Sequence, residues 1–370
     1  MSDGKSRQPG ERYVFLGDSL TDGFTWPMLM RQALAEGGAA GREAPAFINA
    51  AGGGDTARIN LDRLDDYVLR YRPTTSFILL GGNDRARGVR PRQYEAELRE
   101  IIERLQDAGS KVVMISRPIG GPKQQTAAAG PMPMPERYEA VKRKLARRYG
   151  CVFADARRHT KMAWELGLWL WEPDQVHLNL EGYRVVARSV LDALGHEDVP
   201  PVEQFKVELM PGLVTPWRLT ARPPSPLRAG AGAEAKALDA RTVGALRADR
   251  SWKVLELPED RPAEGQANWW LDQVRRQGFA LSLASLVGKA ETYWGIAEVH
   301  SAKAARKYLN TGGALKSVWL NGRKVFAFQK WTGFHPGKER IAVRLRRGVN
   351  RIVIETGEQF ALNLTDQLLW

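Results

Sequence analysis

The first half of the chain repeats one pattern that leaves few folds open. Five short runs are nearly continuously apolar: Tyr13–Leu16, Phe47–Asn49, Ser76–Leu80, Lys111–Ser116 and Cys151–Ala154. A strand with one face in water alternates polar and apolar residues, whereas a strand covered on both faces does not. These runs therefore predict the strands of a parallel sheet sandwiched between helices. The segments between them are amphipathic. From Pro91 to Ala108, residues Tyr94, Leu98, Ile101, Ile102 and Leu105 recur at helical spacing. Pro91 suits a first helical turn and Gly109 a C-terminal stop. A last helix spans Leu180 to Leu194 and stops at Gly195. Strands alternating with helices predict an α/β domain with right-handed crossovers.

At 370 residues the chain exceeds one ordinary core, and its character changes after Gly195. Prolines 200, 201, 211 and 216 and the stretch from Arg222 to Ala233 read as linker and irregular chain. The expected division is 11–195 for the α/β domain, 196–212 for the linker and 213–370 for a second domain. Beyond about residue 250 the second domain is β-rich. Lys316–Leu320 and Arg323–Phe328 flank Asn321-Gly322, which predicts a tight hairpin. Arg340–Leu345 and Arg351–Glu355, joined through Gly348-Val349-Asn350, predict a second one. Hairpins without long helices between them predict an antiparallel sandwich.

Composition excludes several classes of function. The single cysteine, Cys151, rules out an internal disulfide framework and a cysteine-based metal site. Its apolar setting predicts a small core residue. No run approaches the 18 apolar residues of a membrane span. Residues 1–12 lack the apolar core of a signal peptide, so the expected location is cytoplasmic for the chain as written, or secreted if a leader has been removed. The net charge is +13. Lys and Arg are spread along the chain, which predicts solvated surface and no nucleic-acid partner. The densest cluster, Arg344-Leu345-Arg346-Arg347, alternates like a half-exposed strand.

Chemistry concentrates where the predicted strands end. Gly17-Asp18-Ser19-Leu20 follows the first, Gly52-Gly53-Gly54-Asp55 the second, and Gly81-Gly82-Asn83-Asp84 the third. Open α/β sheets place ligands at these strand ends. Ser19 is read either as a nucleophile or as a turn and helix cap, for which Asp, Ser and Gly are ordinary residues. A nucleophilic serine needs a base, an orienter for that base and oxyanion donors. Five histidines exist: His159, His177, His196, His300 and His335. Only His177 follows a carboxylate on a turn, in Asp174-Gln175-Val176-His177, and the other four read as structural or surface residues. Glycine turns and Asn83 could donate to an oxyanion, or simply close strand ends. Arg117 to Pro135, rich in Pro and Gly, predicts a long loop on the same sheet edge, either substrate-facing or merely mobile.

These blocks, in this order, resemble those of the SGNH, or GDSL-type, hydrolases over about residues 11 to 195. The resemblance implies a flavodoxin-like three-layer domain, with Ser19 as nucleophile, His177 as base and Asp174 as its orienter. It implies an oxyanion hole of the Ser19 and Gly54 backbone N–H groups and the Asn83 side chain, and no metal or other cofactor. Ala51 and Thr21 stand where the family more often has Gly and Ser. The second half resembles galactose-binding-like β-sandwich modules of jelly-roll type. There Trp269, Trp270, Trp294, Trp319 and Trp331 are read either as a sugar-stacking platform or as core. Together these resemblances imply a serine esterase for small acyl esters, acetyl above all, on a small-molecule or oligosaccharide substrate. Two alternatives stand beside it: a lipid esterase, lysophospholipase or thioesterase on the same triad, and a carbohydrate-binding protein with a silent hydrolase domain.

Overall fold

All five apolar runs form strands in the computed structural model: β1 (Arg12–Gly17), β2 (Ala46–Asn49), β3 (Thr75–Leu79), β4 (Lys111–Ile115) and β5 (Val152–Ala154). The structure describes residues 10–37, 45–126, 134–196, 198–205, 212–222, 252–255, 283–328 and 339–366. Most of Arg222–Ala233, together with Trp269, Trp270, Trp331 and His335, lies outside them. The chain divides into two compact units, one built on Met1–Glu208, the other on Leu209–Glu264 and Trp270–Leu368.

In the first unit the sheet is parallel, in the order β2-β1-β3-β4-β5. Continuous apolarity has its expected cause: Val14, Phe15, Leu16, Phe47, Ile48, Phe77 and Ile78 are fully buried. Phe15 stacks on Phe77 at 4.6 Å and on Phe47 at 5.1 Å across the three neighbouring strands. Each such side chain contributes about 1.5–3 kcal/mol by leaving water. The ten helices described in this unit are α1 (Ser19–Asp22), α2 (Thr25–Gly37), α3 (Ala57–Asp62), α4 (Leu64–Tyr67), α5 (Gly82–Ala86), α6 (Pro91–Asp107), α7 (Pro122–Thr126), α8 (Met134–Arg148), α9 (Ala156–Glu165) and α10 (Leu180–Leu194). Chain order runs outward from β1 in opposite directions, to β2 on one side and β3 on the other. That reversal opens a crevice at the carboxyl ends of β1 and β3.

The stretch from Arg117 to Pro135 departs from a plain loop. It holds the short helix α7, and α8 begins at Met134, one residue before Pro135. Pro122 and Pro135 each fall in a first helical turn, where the missing N–H costs nothing.

The second unit is mainly β: beside one short helix, Leu283–Val287, it has a seven-stranded antiparallel sheet of β6 (Trp217–Thr220), β7 (Lys253–Leu255), β8 (Tyr293–Ser301), β9 (Ala305–Leu320), β10 (Arg323–Ala327), β11 (Glu339–Leu345) and β12 (Gly348–Thr365). The Asn-Gly turn forms as expected, with φ of +51° at Asn321 and +86° at Gly322. The second expected hairpin does not form. β11 pairs with β9, and β12 pairs with β8 and β9. The connection is short, but strand β12 is already paired along both edges. β9 and β12 shift register where Gly313 takes φ +71°, and a Cβ there would lie 2.8 Å from the Gln359 carbonyl. Both ends of these long strands contribute to one core, Leu309 with Leu320 and Ile352 with Leu364. Trp294 and Trp319 stack at 6.0 Å and are 4% and 0% exposed, packed with Trp252. They are core, not a sugar platform.

Candidate active site

The site begins with Gly17, the last residue of β1. A Cβ there would meet Thr21 Oγ1 at 2.5 Å, so only glycine lets the chain turn this tightly into α1. Asp18 caps that turn: its Oδ1 accepts from the Leu20 N–H at 3.0 Å. The carboxylate is 2% exposed. Burial pushes its pKa up; Arg117, the Leu20 N–H, His177 and Lys142 pull it back in part. Asp18 therefore shapes the turn, and the next residue, Ser19, points its hydroxyl at His177.

His177 Nε2 lies 2.8 Å from Ser19 Oγ, and His177 Nδ1 lies 2.5 Å from Asp174 Oδ2. An ionised carboxylate can only accept, so Nδ1 carries the proton and Nε2 is free to accept the serine proton. Asp174 also builds the turn that presents the ring. Its Oδ1 accepts from the N–H groups of Val176 and His177, both at 2.9 Å. Burial raises the Asp174 pKa, but the hydrogen bonds from the His177 ring and from these two N–H groups outweigh it and hold the carboxyl below its ordinary value. It stays an anion at neutral pH.

The glycine turns after β2 and β3 are laced to this centre. The Gly53 N–H donates to Asp22 Oδ2 at 2.9 Å, and Asn49 Nδ2 donates to the Asp22 carbonyl at 3.1 Å. Asn83 Nδ2 donates to the Asp55 carbonyl at 3.1 Å, and the Ala57 N–H donates to Asp84 Oδ1 at 2.9 Å. Arg87 donates to the Gly54 carbonyl at 2.8 Å. Gly54 takes φ +82°, open to glycine at little cost. The Ser19 and Gly54 N–H groups have no acceptor among the described residues. One N–H of Asn83 also remains after the bond to Asp55. Three donors of the kind an oxyanion requires therefore sit on turns tied to one another.

Sequence reasoning missed several residues that hold this arrangement. Asp22, Arg87 and Arg117 are among them. Arg117 lies against the Gly82 backbone, where a Cβ would meet its Nε at 2.6 Å and Asp18 Oδ2 at 3.2 Å. Its N–H donates to Glu139, which pairs at 2.7 Å with the fully buried Lys142. Gln175, at φ +56°, ties the histidine turn to the α7 loop: its carbonyl accepts from the Gly121 N–H and its Oε1 from the Lys123 N–H, both at 2.9 Å. No local pattern marks these residues, because their hydrogen-bond partners lie 22 to 54 positions away. His159 bonds its own helix at Asp155 and is structural, as expected. Cys151 is half-buried, and burial pushes its thiol up to about 11, so it is unreactive. No group of metal-ligating side chains occurs among the described residues.

A serine, histidine and aspartate in hydrogen-bonded series at the carboxyl edge of a parallel sheet is the arrangement of serine hydrolase domains. Residues 15–185 match the model of the GDSL-like Lipase/Acylhydrolase family. Among curated proteins, an arylesterase from Vibrio mimicus is 34% identical over 114 residues, which is 29% of this chain and 55% of that protein. The "Thioesterase 1/protease 1/lysophospholipase L1" of Escherichia coli K12 is 30% identical over 108 residues, 28% of this chain and 49% of that protein. The chain thus spans about half the length of the curated relatives it matches. Among solved structures, an acetylxylan esterase from Geobacillus stearothermophilus superposes with a TM-score of 0.44 at 21% identity, covering 52% of this chain and 98% of that one. No described helix is long and apolar enough to cross a membrane.

Proposed function

We propose that the protein is a serine esterase that hydrolyses small acyl esters, acetyl in particular, carried on carbohydrate. The observation that carries the chemistry is the series Ser19 Oγ, His177 Nε2, His177 Nδ1, Asp174 Oδ2, with separations of 2.8 and 2.5 Å. His177 Nε2 takes the Ser19 proton as Oγ attacks the ester carbonyl. The carbonyl oxygen gains its charge where the Ser19 and Gly54 N–H groups and the Asn83 amide donate. Asp174 stabilises the imidazolium that forms. The cation then returns its proton to the departing alcohol, leaving an acyl-Ser19. Water, deprotonated by the same Nε2, hydrolyses that ester and restores the hydroxyl. The choice of an acetylated carbohydrate rests on the appended β-sheet unit and is association, not geometry.

One observation favours a second reading, in which the acyl group is longer. The segment after α9 pairs with the histidine turn, Trp171 with Leu178, and exposes Leu166, Leu168 and Trp169 at 83%, 47% and 50%. Apolar side chains this close to the turn could seat an alkyl chain, and a thioesterase and lysophospholipase is among the relatives. The deciding experiment is acetate release from acetylated oligosaccharides, run beside a series of p-nitrophenyl esters, with Ser19→Ala as control. Preference for chains of about eight carbons or more would displace the acetyl reading. Wild-type rates equal to those of Ser19→Ala would end both.

A further inference from the structure

The basic residues of the second unit have no part in the chemistry above, yet the fold places four of them on the walls of one cavity. β10 and β11 both pair with the same edge of β9, one at each end of that long strand. Between them lies a cavity of about 850 Å³ whose walls include Arg306, Arg323, Lys324 and Arg344, over Leu320 and Val343. Among the described residues no carboxylate lines it. Arg306 and Arg344 stand directly opposite each other in the β9–β11 ladder. Like charges in that register repel. Among the described residues no ion pair neutralises Arg306, Arg323 or Arg344.

We propose that this cavity binds a compact ligand bearing two or more oxyanion groups: the carboxylates of an acidic oligosaccharide or the phosphates of a small phosphorylated compound. Its volume falls in the range of small-ligand sites, about 300–1,000 Å³. Three arginines and a lysine stand on its walls, and guanidiniums bind carboxylate and phosphate through paired hydrogen bonds. The bound anion supplies the countercharge that the Arg306–Arg344 pair lacks. Among the described residues none that lines the cavity is aromatic. The site is independent of the esterase chemistry, and its test leaves Ser19 out.

The test is calorimetric titration of full-length Ser19→Ala with trigalacturonate, fructose 1,6-bisphosphate, maltotriose and a single-stranded oligonucleotide. One site per chain is expected for at least one of the two small anions, and none for neutral maltotriose. Whichever anion saturates identifies the source of the oxyanions. The double variant Arg306→Gln, Arg344→Gln should weaken that binding about tenfold or more. Removing a repulsive cross-strand pair should leave its melting temperature unchanged or higher. Arg346→Gln with Arg347→Gln, also exposed but off the cavity wall, should bind as wild type does. Saturation by neither anion overturns the proposal. So does equal loss in the two double variants, which would mean diffuse surface charge. Tighter binding of the oligonucleotide through Arg306 and Arg344 would overturn it in favour of nucleic acid.

Discussion

Replacing Asn83 with Ala separates a donor that acts on the transition state from one that merely packs. Asn83 has two amide N–H groups. One is spent on the Asp55 carbonyl at 3.1 Å, which fixes the side chain's orientation. The other is the oxyanion donor in the proposed mechanism. A single lost donor of this kind costs about 2.7–4 kcal/mol of transition-state stabilisation, a fall of roughly 10²–10³ in kcat. The ester carbonyl carries little charge before attack, so KM should stay within about twofold. The Asp55 carbonyl also loses its partner, worth about 1 kcal/mol, which should appear as a small fall in melting temperature. The assay is kcat and KM on p-nitrophenyl acetate beside a thermal melt of the same preparation. A kcat within about threefold of wild type, with the protein folded, would refute the assignment. A large rise in KM at unchanged kcat would instead make Asn83 a ground-state contact.

Two further outcomes follow from the same geometry. Asp174→Asn removes the charge that orients His177, but the Asp174 side chain is 37% exposed and water can substitute for part of it. The expected loss in kcat is therefore about 10²–10³, below the roughly 10⁴ seen when such a carboxylate is buried; full activity in Asp174→Asn would remove the residue from the series. Asp84 offers a stability readout. Burial lifts its carboxyl to about 6 against the pull of the Ala57 N–H, so the folded state holds a proton that the unfolded state has released. Its contribution is present below the ordinary carboxylate range and is lost as pH rises through about 6, a change of roughly 3 kcal/mol. Urea melts of Asp84→Asn should gain on wild type as pH rises from about 4 to 7; parallel pH profiles would contradict the protonation argument.

The strands of the first unit and its helices α6 and α10 were legible because the signal is local. Phe15 and Phe77 sit in runs with no polar alternation, and such runs can only be buried on both faces. Gly109 and Gly195, at φ of +79°, end α6 and α10 where the periodicity stops. Ser19, Gly54, Asn83, Asp174 and His177 could be named because the turns that hold them, in this order along the chain, resemble the blocks of a known hydrolase family. The hairpin at Asn321-Gly322 was equally readable, since both residues favour positive φ.

What the chain alone left open depends on partners distant in sequence. β11 and β12 look like a hairpin, but sheet pairing is settled by the whole edge, and β9 offers β11 a better one. Trp294 and Trp319 could have faced solvent; only the sheet's other face, filled by Trp252, decides that they do not. The apolar runs and turn chemistry determined the parallel sheet, the positions of its loops and the candidate nucleophile. Tertiary structure alone decided that Arg87, Asp22 and Gln175 tie those loops together, and that Arg306 and Arg344 stand side by side at a cavity. Local backbone preferences act over a few residues, whereas a hydrogen bond or a charge pair exists only once the fold brings distant residues within about 3 to 5 Å.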